Sequence, residues 1–196
     1  MASDLPLDGP SRRTDRVSVG AAGHRILTDV EALQRGIDRS LDAVERIALG
    51  RAISIVSPLA EGADRLIVQR ALARPGARLA VARLPLPMDD YLADFTSVAS
   101  KEEFRRLVSQ ADEVIAPASA QGRDAAYHAA GLAVLDRSEV LIAVWDGQRG
   151  NTGTMVDEAR RRRMPIAWVH AGNRRPGTDE PTSLGPQQGA VTFENF

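Results

Sequence analysis

The sequence predicts an α/β fold in which a three-layer, doubly wound, mostly parallel sheet of about six strands has helices on both faces. Short β-branched runs alternate along the chain with segments whose apolar residues recur every three or four positions. One run, VLIAVW, is apolar throughout, which is typical of a strand buried on both faces. Right-handed crossovers between such strands then give a Rossmann-like arrangement.

The first half of the chain supplies three strands and two clear helices. Strands are predicted at 16–20 (RVSVG), 52–56 (AISIV) and 78–84. Thr28 and Glu31 form a capping-box pattern before an apolar helical face that extends to Ile47. A second helix is predicted over 61–73, because Pro75 and Gly76 end it.

The second half continues the alternation. A helix is predicted to begin at Ser100, which forms a capping-box pattern with Glu103. The remaining predicted elements are a strand at 113–116, a helix at 123–137, a strand at 140–145, a helix at 154–163 and a strand at 165–170.

The chain of 196 residues is predicted to form one domain, 15–170, with a tail at each end. Residues 1–14 lack apolar periodicity, and 171–196 form a largely irregular tail rich in Gly, Pro, Thr and Gln. Val191, Phe193 and Phe196 are apolar, but the sequence does not indicate where they dock. No apolar run is long enough for a signal peptide or a membrane span, so a cytoplasmic protein is expected.

Composition disfavours several classes of function. The chain has no cysteine, which excludes disulfides and thiolate metal sites, and its one lysine, Lys101, leaves little room for lysine chemistry. A net charge of −1 disfavours nucleic acid and membranes as partners. Asp89, Asp90 and Asp94 lack a nearby histidine, so no metal or cofactor is predicted.

The candidate ligand residues follow three of the predicted strands, because the ligand crevice of an open parallel sheet lies beyond its carboxyl ends. Glycines and threonines before a helix favour anion binding at its N-terminus, although a plain capped loop explains them as well. Acidic residues at a helix start are also explained by the helix dipole. The candidates are Gly20, Gly23, His24, Arg25, Glu61, Gly62, Asp64, Asp146, Gly147, Gly150, Thr152, Gly153 and Thr154.

Two common nucleotide-binding motifs are absent. The first loop is not G-x-G-x-x-G and no acidic residue ends the second strand, which disfavours a nicotinamide dehydrogenase. The pattern G-x-x-x-x-G-K-[ST] does not occur, which excludes a P-loop NTPase.

Taken together, three separated motifs resemble the SLOG superfamily of Rossmann-like nucleotide-binding domains, and in particular its stand-alone bacterial branch. The motifs are GHR (23–25), EGAD (61–64) and VWDG (144–147) with Gly153-Thr154, and the resemblance covers about 16–169. The superfamily includes the lonely-guy phosphoribohydrolases, the DNA-processing proteins of natural competence and the amino-terminal regions of melastatin-type channels. The resemblance implies a crevice that binds nucleotides or ADP-ribose derivatives, with glycine loops on the phosphates.

These observations lead to a nucleotide-binding or nucleotide-sensing protein with an ADP-ribose-like or other phosphorylated nucleoside as its small-molecule ligand. The alternative is a nucleoside monophosphate phosphoribohydrolase, in which Arg123, Asp157 and Glu158 would act. That alternative is weaker, because the stretch 149–157 departs from the hydrolase pattern P-G-G-x-G-T-x-x-E. A DNA-associated protein is the least favoured hypothesis, and a homo-oligomer is left open.

Overall fold

The computed structural model describes residues 15–118 and 122–196, and the strands of this part form one seven-stranded sheet. The spatial order of the strands, numbered along the chain, is 4-3-2-1-5-6-7, and all neighbours pair in parallel except the last two. The strands are β1 (Arg16–Gly23), β2 (Ala52–Ser57), β3 (Arg78–Arg83), β4 (Ala111–Ile115), β5 (Val140–Trp145), β6 (Ile166–His170) and β7 (Val191–Glu194).

In the part of the chain that the structure describes, six α-helices connect these strands and cover both faces of the sheet. Alternate residues of β5 show the two layers, because Ile142 belongs to a buried cluster with Ile37, Ile67 and Phe104, whereas Leu141 belongs to another with Leu135 and Val156. The predicted doubly wound α/β fold is therefore confirmed. The helices are α1 (Val30–Ala48), α2 (Ala63–Leu72), α3 (Met88–Ala93), α4 (Val98–Val108), α5 (Arg123–Asp136) and α6 (Asn151–Arg161).

Two predicted helix starts differ in detail from the structure. Helix α1 begins after Asp29, which has a left-handed backbone and makes no capping hydrogen bond from its side chain. Ser97, three residues before Ser100, is the N-cap of α4 and accepts the Ser100 N–H at 3.0 Å. Glu103 binds Arg65 of α2 instead of closing a capping box. In α4, a contact with another helix therefore replaces one of the local hydrogen bonds that the pattern predicted.

Strand β1 is three residues longer than predicted. Ala21, Ala22 and Gly23 pair with Ile142, Ala143 and Val144 of β5, so the strand continues through the small residues after Gly20. Pairing with a fully buried neighbour overrides the low strand propensity of alanine and glycine here. As a consequence, the loop that was predicted to begin at Gly20 begins at His24.

The residues after β6 are attached to the domain by a buried glutamine and by β7. The Gln188 side chain is 8% exposed, accepts the N–H groups of Gly172 and Leu184, and donates to the Thr28 carbonyl. Strand β7 then pairs antiparallel with β6, which is where Val191 and Phe193 dock. The predicted amino-terminal tail, 1–14, lies outside the described residues. Among the described residues, no helix is long and apolar enough to span a membrane.

Candidate functional site

The candidate site lies where the strand order reverses. Strand β1 has β2 on one side and β5 on the other, so their connections leave in opposite directions and a crevice remains at the carboxyl ends. A cavity of about 230 Å³ occupies the bottom of this crevice, and we call it the inner cavity. It is lined by Ala21, Ala22, Gly23, Arg25, Pro58, Ala60, Asp64, Pro85, Tyr127, Ala130, Gly131, Asn151, Thr152 and Met155.

The first two sequence motifs pack against each other on one side of the inner cavity. Gly62 has φ +81°, and a Cβ atom there would lie 2.2 Å from the Arg25 carbonyl oxygen. A Cβ at Gly23 would lie 2.4 Å from that of Ala63. The Ala63 N–H also donates to the His24 carbonyl at 3.0 Å. Both glycines are therefore required by the close approach of the loop after β1 to the start of α2.

Asp64 is the acidic residue of the inner cavity. Its side chain is 4% exposed, and its Oδ2 accepts the Ala60 N–H at 3.3 Å. Burial raises the pKa of this carboxyl to about 8, although the Ala60 and Gly23 amides and the Arg65 charge act in the opposite direction. Asp64 is therefore mainly a neutral carboxylic acid at pH 7.

The loop between β5 and α6 is held by hydrogen bonds to its backbone. The Asp146 N–H donates to His24 Nε2 at 2.9 Å, and the Gln148 N–H donates to Asp146 Oδ1 at 2.9 Å. The Trp145 indole donates to the Gln148 carbonyl at 2.8 Å. Burial lowers the pKa of His24, although the Asp146 carboxylate 3.1 Å from Nε2 acts in the opposite direction, and the lowered pKa favours the neutral ring that this acceptor role requires. Three hydrogen bonds therefore tie this loop to β5 and to His24.

Helix α6 directs its N-terminus into the crevice. Its first internal hydrogen bond runs from the Thr154 N–H to the Gly150 carbonyl, so the preceding amides have no acceptor four residues back. Thr152 lines the inner cavity, whereas the Thr154 hydroxyl donates to the Gly150 carbonyl one turn back, and no side chain among the described residues caps the helix. A Cβ at Gly153 would lie 2.7 Å from the Gln148 carbonyl oxygen, so this glycine is required by packing.

Exposed arginines surround the mouth of the crevice, where two larger cavities of about 570 and 520 Å³ open on either side of Arg25. Arg25 and Arg174 line both of them, and Arg123 lines the second. The side chains of these three arginines are 49%, 62% and 55% exposed, respectively. Arg25 donates to Glu61 at 2.6 Å, and Arg123 forms an ion pair with Asp94. The mouth therefore carries guanidinium groups that carboxylates hold in place.

Two solved structures that superpose on this chain are both of one protein, DNA processing protein A. Neither a family model nor a curated protein sequence matches the chain. The X-ray structure of DNA processing protein A (DprA) from Streptococcus pneumoniae superposes with a TM-score of 0.56 and 16% identity over 89% of this chain and 54% of that one. A DprA structure from Helicobacter pylori gives 0.54 and 15% over 84% and 68%. The chain shares the fold of DprA. It spans about half the length of the Streptococcus protein.

The likeness to DprA overturns two expectations from the sequence. The Helicobacter DprA structure is described by its single-stranded DNA binding mode, which contradicts a nucleotide sensor as the main interpretation and the expectation that nucleic acid is an unlikely partner. The physical reason is that net charge averages over the whole surface. The chain as a whole carries −1, and this sum does not report that three exposed arginines line the cavities at the crevice, among carboxylates such as Glu61 and Asp94.

Four of the predicted site residues lie elsewhere or apart from one another. Gly20 lies within β1, where a Cβ would approach Ser138 to 2.8 Å, so it does not face the crevice. Asp157 and Glu158 do not line the cavities described above, because they pair with arginines along α6. Arg123, in contrast, lies at the mouth. The groups of the hydrolase alternative are therefore not assembled.

Several residues of the site carry no recognisable signal in the sequence. Tyr127 lines the inner cavity, and its hydroxyl donates to Asp94 Oδ2 at 2.5 Å. Met155 lines the same cavity from α6, and Arg174 reaches the mouth from beyond β6. The helical spacing of Tyr127 and Met155 matched a buried face, so no signal in the sequence separated them from core residues. Among the described residues, no cluster of acidic and histidine side chains could hold a metal ion.

Proposed function

We propose that this protein binds single-stranded DNA across the carboxyl ends of β1, β2 and β5. The observation that carries the proposal is the convergence of Arg25, Arg123 and Arg174 on the mouth of a mostly apolar cavity. The DprA fold and the described single-stranded DNA binding of the Helicobacter protein support it. The same fold, together with the GHR and EGAD motifs, supports membership of the SLOG superfamily.

The arginines at the mouth bind the phosphate groups of the strand. A guanidinium presents several N–H donors in one plane, which matches the oxygens of a phosphate. Glu61 and Asp94 orient Arg25 and Arg123 before binding, because each carboxylate accepts from its arginine. The free amides at the start of α6 offer a further site for a phosphate oxygen at the edge of the inner cavity.

The inner cavity accepts one base of the strand. Its volume of about 230 Å³ is below the roughly 300 Å³ at which pockets for drug-sized molecules begin, so it suits a single ring system and not a whole nucleotide. Alanines, prolines, Tyr127 and Met155 form its walls, which is the apolar and aromatic surface on which bases stack. A base paired in a duplex cannot enter such a cavity without leaving the stack. Single strands are therefore preferred.

Fluorescence anisotropy with a labelled single strand tests the proposal. A length of about 16 nucleotides is suitable, because it is the upper end of the site sizes typical of one OB-fold domain. The variant Arg123→Gln, Arg174→Gln should bind about tenfold more weakly, because each exposed contact contributes roughly 0.7 kcal/mol. Its salt dependence, as the slope of log K against log salt, should fall by about 1.4, since two phosphate contacts are lost.

The matched control is Arg46→Gln. Arg46 is an exposed arginine in the last turn of α1, near the amino ends of the strands and therefore away from the crevice. This control should bind like the unmodified protein. Equal losses in the control and in the double variant would show that the crevice is not the binding site. Preference for the duplex over the single strand would contradict the role of the inner cavity.

A further inference from the structure

The carboxyl group of Asp64 presents a problem for a site that binds a polyanion. It lies in the inner cavity, below the arginines at the mouth, and its side chain is almost fully buried. A carboxylate there would repel a phosphate strand and would carry a large desolvation cost. Both costs vanish when the group is a neutral carboxylic acid, which is the form that its raised pKa of about 8 indicates at pH 7.

Backbone amides donate hydrogen bonds to the carboxyl group of Asp64. The amides of Ala60 and Gly23 both donate to it and occupy acceptor positions on its oxygens. Tyr91 is the neighbouring hydroxyl, since the Asp64 charge raises the pKa of Tyr91 further above that of an ordinary tyrosine. That hydroxyl is buried and has no hydrogen-bond partner among the described residues, so it does not take the proton of the acid. The acid proton remains available to an acceptor in the inner cavity.

We propose that Asp64 is the residue by which the site recognises the bound base, donating a hydrogen bond as a neutral acid to a carbonyl oxygen or ring nitrogen. This inference rests on the proposed binding of single-stranded DNA. It adds a specific contact between Asp64 and a base, and this contact requires the protonated form of the carboxyl group. The bases present such acceptors along their edges, so the contact selects for the presence of a base in the cavity more than for its identity.

Loss of the proton should weaken binding of the base. Ionised Asp64 has no donor, and it adds a negative charge at the bottom of the crevice. If the DNA binds only the form in which Asp64 is protonated, its affinity should fall about tenfold between pH 7 and pH 9, with the midpoint at the Asp64 pKa near 8.

The charged and titratable groups that face Asp64 do not account for such a change. They are Arg65 on its own helix, Arg25 in the loop after β1, Tyr91 on α3 and Tyr127 on α5. Arginine keeps its charge in proteins, and burial raises the pKa of both tyrosines above the ordinary value of 10.0. Burial lowers the pKa of His24 below 6.5, which places its titration below this range.

The experiment measures affinity between about pH 7 and pH 9 for a deoxycytidine oligomer and for an abasic strand of equal length. The unmodified protein should lose about tenfold on the oligomer and clearly less on the abasic strand, which keeps the phosphate repulsion but has no base to contact Asp64. Asp64→Asn keeps a donor and does not titrate, so it should bind the oligomer with the pH 7 affinity throughout. Asp64→Leu should be weak at every pH, with an unchanged salt slope. Circular dichroism at each pH shows that every variant is folded.

The outcomes separate this inference from the proposed function. Two results would overturn the role of Asp64 alone. One is single-stranded DNA binding that responds to the arginine variants but not to pH. The other is an Asp64→Asn protein whose affinity falls with rising pH as that of the unmodified protein does. A pH effect of equal size on the abasic strand would do the same, because no base is then involved. Absence of single-stranded binding at pH 7 would overturn the proposed function, and this inference with it.

Discussion

The replacement of Asp64 by asparagine predicts a specific change in folding stability that needs no DNA. The pKa of the carboxyl rises from 3.8 to about 8 on folding. Between these two values the unfolded chain has lost the proton while the folded protein keeps it, so folding takes up one proton. The contribution of this group to stability is therefore complete below pH 3.8, decreases as the pH rises, and is constant again above about 8. The slope is about 1.4 kcal/mol per pH unit, or roughly 6 kcal/mol over the whole window.

Urea unfolding of both proteins between about pH 5 and pH 8 measures this slope. Asparagine does not titrate, so the stability of Asp64→Asn relative to the unmodified protein should increase by about 1.4 kcal/mol with each pH unit. Other titrating groups cancel in this difference, including His24, whose lowered pKa destabilises both proteins at acidic pH. Parallel stability curves would refute the reasoning, because they would mean that the carboxyl has the same pKa in the folded and unfolded states.

Two further predictions concern packing around the crevice, and urea unfolding measures both. Gly62→Ala should lower the free energy of unfolding by more than about 2 kcal/mol, because the new Cβ meets the Arg25 carbonyl and the backbone there is left-handed. Gly50 has φ +86° but open space around it, so Gly50→Ala should lower the free energy of unfolding by only about 1 kcal/mol. Equal costs would mean that the loop moves aside. Gln188→Leu should cost about 3 kcal/mol, since it leaves backbone groups unpaired, and exposed Gln187→Leu should cost nothing measurable. Similar stability of the two leucine variants would contradict the anchoring role of Gln188.

The fold was predictable because burial acts directly on the periodicity of the sequence. The run at 140–145 is apolar throughout and became the fully buried β5, while the apolar positions Leu33, Ile37 and Leu41 became the buried face of α1. Strand β7 was not predictable in the same way. It is four residues long at the edge of the sheet, and hydrogen bonds of Gln188 to distant backbone groups hold the segment that precedes it. Such contacts leave no periodic signal.

The candidate site was partly predictable for a related reason. Residues that follow parallel strands lie at one edge of the sheet, so the sequence could bring together His24, Asp64 and Asp146 without knowing their contacts. Residues that enter the crevice from elsewhere could not be found this way. Tyr127 comes from the second turn of α5, and Arg174 comes from the segment after β6, which the sequence marked only as irregular.

The choice of partner depends on where charges lie and on which groups are ionised, and the composition reports neither. The formal charge of −1 counts Asp64 as ionised, but a carboxyl with a pKa of about 8 is mainly neutral at pH 7, so the folded protein carries a charge close to zero. At the mouth, Glu61 and Asp94 accept hydrogen bonds from arginines and thereby fix the direction in which the guanidinium groups point. Such carboxylates cancel charge in a sum over the chain, yet they reduce the entropy that an arginine loses when it binds a phosphate. A nearly neutral protein can therefore present an organised phosphate site, and its acidic residues are part of the reason.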